Sequence, residues 1–93
     1  MYIITNTTMG GEYTPSKAKT LEEAQKWLYE CTANNIRAWK DSYFPELKNM
    51  SDKEVVIWAE KNLNNFKFNN NSSEIYYDND SYNIMNIYNL DKI

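Results

Sequence analysis

Apolar residues along this chain change their period from two to about 3.6 and back to two, and the changes divide it into elements. The opening "MYIIT" is short, β-branched and aromatic, and reads as a strand. Gly10-Gly11 follows as a turn, and Pro15 restricts a returning strand to a short edge piece, so residues 1–15 predict a hairpin. Leu21, Ala24, Leu28 and Cys31 then form one row at helical spacing. Thr32, Ile36, Trp39 and Tyr43 continue it, and Trp27 widens it. Thr20 with Glu23 three residues on is a capping box, and Pro45 disfavours helical geometry at Phe44. Together these predict a helix across 20–40.

Ser51 and Glu54 repeat the start signal, with Met50 placed to staple onto Val55. Val56, Ala59, Leu63 and Phe66 supply the inward face of a second helix across 51–66. "VVIW" at 55–58 is apolar on more than one side, which places this helix centrally or against another chain. "NNNSS" at 69–73 reads as a loop.

Residues 74–90 return to a period of two. With Asn79-Asp80 as the turn of a hairpin, Tyr77 pairs with Tyr82 and Ile75 with Ile84 on one face. Tyr76 then lies opposite Asn83 on the other face, with Met85 and Ile87. Beyond Ile84 the alternation falters. A bulge, a strand apolar on both faces and a closing helix all fit, and the Tyr and Ile content favours a strand. The order β-β-α-α-β-β predicts an α+β fold: an antiparallel sheet of two hairpins with two helices packed on one face.

Length and composition narrow the function. Ninety-three residues make one domain, and 42% hydrophobic content with three tryptophans supplies a core. The net charge is −3, and all of it lies in the tail. Residues 1–68 hold nine acidic and nine basic side chains, whereas 69–93 hold Glu74, Asp78, Asp80 and Asp91 against Lys92. No Lys/Arg cluster exists to displace counterions, so nucleic acid is not the expected direct partner. A single cysteine rules out an internal disulfide. Without a basic-then-apolar start or a long apolar run, the expectation is a cytoplasmic protein that does not enter membranes.

Catalytic chemistry has little to work with. There is no histidine, so Ser-His and Cys-His dyads and histidine metal sites are excluded. Cys31, on the helical row, reads as a buried structural thiol. Glu22 and Glu23 serve the helix start, while Glu54 and Glu60 point to different faces. The only glycines are Gly10 and Gly11, so no phosphate loop follows. "DNDSYNIMNIYN" has acids at positions 1 and 3 of a calcium loop but lacks its Gly at 6 and Glu at 12. No cofactor, no metal and no enzymatic activity are expected.

What remains is the tyrosine-acid cluster of 72–90, "SSEIYYDNDSYNIMNIYNL", which holds four of the eight tyrosines. Glu74, Tyr76, Asp78, Asp80, Tyr82 and Tyr88 are the candidate partner-binding residues, since tyrosine offers contact area at low entropy cost. A heterologous interface, a homodimer surface and plain monomer surface all fit this cluster. The chain is small, acidic and without catalytic residues, and its fourteen asparagines point to an AT-biased coding genome. That profile resembles the anti-defence proteins of phages and mobile elements, anti-CRISPR proteins above all. The resemblance implies a non-enzymatic inhibitor in the host cytoplasm that blocks a nuclease effector by occupying a basic nucleic-acid-binding surface. A sponge for a nucleotide signal and an immunity protein paired with a toxin are the alternatives.

Overall fold

The computed structural model describes residues 1–12, 16–77 and 81–92. The strands are β1 (Tyr2–Thr8), β2 (Gly11–Glu12), β3 (Ser16–Ala18), β4 (Phe66–Asn69), β5 (Ser72–Tyr76) and β6 (Tyr82–Asn89). The helices are α1 (Leu21–Lys40) and α2 (Asp52–Asn62), joined through a 3-10 turn at Pro45–Asn49. The sheet runs β2-β1-β6-β5-β4, with β3 also on β1, and every pairing is antiparallel. The expected α+β fold is the observed one, with both helices against a single face of the sheet. No described helix is long and apolar enough to cross a membrane.

Local chemistry accounts for the boundaries. The Ser51 hydroxyl accepts from the Glu54 amide at 3.2 Å and the Glu54 carboxylate accepts from the Ser51 amide at 3.1 Å, a complete box. At α1 the Thr20 hydroxyl accepts from the Glu23 amide, but the Glu23 carboxylate takes the Lys19 amide rather than closing onto Thr20. The first hairpin turns through Met9-Gly10, and Gly11 holds φ 107°, a value open to glycine and strained for other residues.

Two parts of the expected outline are corrected. The second helix stops at Asn62, and Phe66 is buried as a strand residue, not as a helical one. Two asparagines, 64 and 65, break the helix there, and β4 begins at once. The loop expected across 69–73 is a two-residue turn at Asn70-Asn71 between β4 and β5, with Ser72 and Ser73 already in the ladder. The 82–89 segment is a strand, paired without interruption to β1 from Asn83 to Asn89, and it is apolar on both faces.

The core lies between the sheet and the helices in two linked clusters. Ala24 and Leu28 meet Ile4, Ala18 and Met85 in one; Ala33, Ile36, Leu47, Val55, Val56 and Ala59 meet Phe66 and Ile75 in the other. A buried bond, Thr32 hydroxyl to Ser73 hydroxyl at 2.9 Å, joins α1 to β5. Arg37 fastens the helical layer: its guanidinium donates to Leu47 O, Met50 O and Asn34 Oδ1 and pairs with Asp52 at 2.9 Å. Cys31 is half-buried beside the first cluster, where burial, with Glu30 nearby, pushes its thiol pKa up. Trp27, expected to widen the core stripe, is instead 46% exposed, and Tyr43 projects from the end of α1 into solvent.

Candidate interaction face

Strand residues alternate between faces, so one register decides which side chains share a surface. Tyr76 pairs with Tyr82, Ile75 with Asn83 and Glu74 with Ile84. The expected register was one residue off. The Tyr77 amide donates to Ser81 O at 2.8 Å, so the connection spans 78–80 and not the two residues Asn79-Asp80. A one-residue slip moves every side chain of a strand to the opposite face. Tyr82 and Ile84 therefore change sides, and Met85 and Ile87 join Ile75 and Tyr77 under the helices.

The correction gathers the candidates. Glu74, Tyr76, Tyr82 and Tyr88 share the face turned away from both helices. Asp78 and Asp80 lie outside the described residues. Cross-strand neighbours extend the face: Tyr88 stands against Ile3, Asn86 against Thr5, and Ile84 against Thr7 on one side and Glu74 on the other. None of Ile3, Ile84, Tyr76, Tyr82 and Tyr88 belongs to either core cluster. Two lysines stand at its lateral limits, Lys17 opposite Ile3 and Lys67 opposite Glu74.

The face is ordered by its own contacts. The Tyr76 phenol donates to Glu74 Oε1 at 2.6 Å, which raises the Tyr76 pKa because ionising the phenol would break that bond beside a negative charge. The Tyr76 and Tyr82 rings lie 6.4 Å apart in a tilted pair. On the opposite face Tyr77 meets Trp39 edge-on at 5.1 Å, and burial pushes its phenol pKa up despite a bond to Asn83. Adjacent tyrosines in the sequence thus have separate duties, Tyr77 in the core and Tyr76 at the surface.

Ile3, Thr5 and Thr7 were missed as members of this face. Their signal was present: a strand starting "MYIITNTT" with Ile4 inward must send Ile3, Thr5 and Thr7 outward. What the sequence did not disclose was that β1 and β6, at opposite ends of the chain, lie side by side. Chemically, the described side chains of this face offer aromatic and β-branched contact area, hydroxyl groups and the Glu74 carboxylate, a set suited to recognition. Comparison with known proteins gives no matching family model, no matching curated protein and no matching solved structure.

Proposed function

We propose that this chain is a non-catalytic inhibitor that docks a basic protein surface onto the helix-free face of its sheet, in the manner of an anti-CRISPR protein acting on an RNA-guided nuclease. The observation that carries this reading is the convergence of Tyr76, Tyr82, Tyr88 and Glu74 with Ile3 and Ile84 on the one face of the sheet that carries no helix among the described residues. At about 4.8 Å between strands and 3.3 Å per residue, the strands cover roughly 450 Å². That is more than half of the roughly 800 Å² a standard interface takes from each partner. In the sequence, the acidic segment 78–80 lies between the two strands that carry the tyrosines.

In this reading the tyrosines and isoleucines are the anchors, and Glu74, Asp78 and Asp80 meet lysines and arginines that otherwise hold phosphate. Duplex DNA carries one charge per about 1.7 Å, so this surface plugs a local site and does not mimic a long duplex. The test is DNA loading and cleavage by purified RNA-guided nucleases from low-GC bacteria. Support is a stoichiometric complex that blocks loading, weakened by Asp78→Lys with Asp80→Lys and by Ile84→Lys. Inhibition undiminished in those variants rejects the face. Binding to a toxin in place of every nuclease tried makes the chain an immunity protein, and a second copy seated on the face makes it a homodimer.

A further inference from the structure

A separate feature lies on the helical side of the molecule. Glu22, Gln25, Lys26 and Tyr29 recur at intervals of three and four, so they line one strip of α1. Lys53 from the first turn of α2 and Asn70 from the β4–β5 turn complete a cleft of about 480 Å³. That volume falls within the roughly 300–1,000 Å³ of small-molecule sites.

The floor is held in place by the protein itself. The Tyr29 ring packs on Phe68 at 4.8 Å, its hydroxyl donates to Asn70 Oδ1 at 3.2 Å, and Gln25 Nε2 donates to Asn71 Oδ1 at 3.2 Å. Lys53 Nζ stands 5.7 Å from the Tyr29 ring centroid. The two acids that flank Lys53 in the sequence are engaged elsewhere, Asp52 with Arg37 and Glu54 with the Ser51 amide, while Glu30 follows Lys26 by four residues on α1 outside the cleft lining. Glu22 precedes Lys26 by four residues, a spacing that favours ion pairing on a helix. Yet among the described residues neither Lys26 nor Lys53 joins an ion pair. Two lysines therefore line one cleft with a single lining carboxylate, Glu22.

We propose that this cleft binds a small phosphorylated ligand of nucleotide size, with its phosphate between Lys26 and Lys53. A phosphate monoester brings a charge of about −1.5 to −2 at neutral pH, enough to engage both ammonium groups in charge-assisted hydrogen bonds. The Asn70 amide nitrogen is left to donate, since its oxygen accepts from Tyr29. Glu22 opposes the ligand and sets a sign: removing its charge tightens binding. The cleft shares no residue with the open face of the sheet, so this assignment is independent of the proposed docking function.

The experiment is an amide chemical-shift titration of the intact chain with AMP, inorganic phosphate and adenosine. AMP is expected to give saturable shifts at Gln25, Lys26, Tyr29, Lys53 and Asn70, with phosphate moving the same set and adenosine binding about tenfold or more weakly. Lys26→Ala with Lys53→Ala is expected to weaken AMP about tenfold or more without moving the unfolding midpoint, and Glu22→Gln to strengthen it. Absence of saturable shifts with both AMP and phosphate, shifts confined to other surfaces, or undiminished binding by the double lysine variant overturns the site. Adenosine binding as tightly as AMP overturns the phosphate assignment.

Discussion

The two faces of the sheet are made of similar residue types and carry opposite loads. The inner face sets Ile4, Phe66, Ile75 and Met85 against α1 and α2, and each is nearly or fully buried. The outer face sets Ile3, Ile84, Tyr76, Tyr82 and Tyr88 against no helix among the described residues, with Tyr88 47% exposed and the other four half-buried among their strand neighbours. Hydrophobicity alone does not separate them, since isoleucine and tyrosine occur on both. The neighbours do. Where a helix covers the sheet, an apolar side chain holds the fold together; where none does, the same kind of side chain is available to another molecule.

Substitutions on the two faces should therefore diverge, and the largest divergence is in stability. Ile75→Ala and Leu28→Ala each remove a fully buried side chain and should cost about 2–5 kcal/mol in urea unfolding. Tyr82→Ala and Tyr88→Ala on the open face should cost about 1 kcal/mol or less. Equal losses on both faces would erase the distinction. Next comes the clamp that keeps the helical layer over the inner face. Arg37→Ala should cost about 1.5–3 kcal/mol, because it ends two charge-assisted bonds to backbone carbonyls and orphans Asp52. Smaller again is Ser73→Ala, which leaves the buried Thr32 hydroxyl without its partner, at about 1–2 kcal/mol.

The smallest effect is a pH dependence that involves both faces. Tyr76 outside, Tyr77 inside and Cys31 beside the core all have pKa values raised on folding. The unfolded chain then releases these protons first as pH rises, and the native state binds more protons than the unfolded one. Stability is accordingly full below the ordinary thiol and phenol values and falls as pH climbs through the raised ones. Urea midpoints taken from neutral to strongly alkaline pH should decline in that upper range. Tyr76→Phe should remove the open face's share of the decline, and Tyr77→Phe the inner share. A midpoint flat or rising with alkaline pH would contradict the assigned directions.

How much of this was legible in the sequence depended on the range of the interaction. Both helix starts could be read because a cap is written within four residues, as at Ser51 and Glu54. The α+β class followed from the change of period. The strand Phe66–Asn69 was hidden because Phe66 continues the spacing of Val56, Ala59 and Leu63, and only Asn64 and Asn65 mark the break. The hairpin register was missed by one because a turn of two residues and a connection of three leave equally plausible pairs of apolar partners. The tyrosines were named as a site by their clustering in the sequence, and which of them share a face follows from that register. Arg37 was invisible, since its carbonyl partners at Leu47 and Met50 are backbone atoms that any residue supplies.

The most direct test compares isoleucine methyl groups on the two faces. With the protein dilute and sedimenting as a monomer, a soluble paramagnetic chelate is added and methyl line broadening is recorded. The expected result is strong broadening of Ile3 and Ile84 and protection of Ile36 and Ile75. If Ile3 and Ile84 are as protected as Ile75, the outer face is already covered and is not the docking surface proposed here.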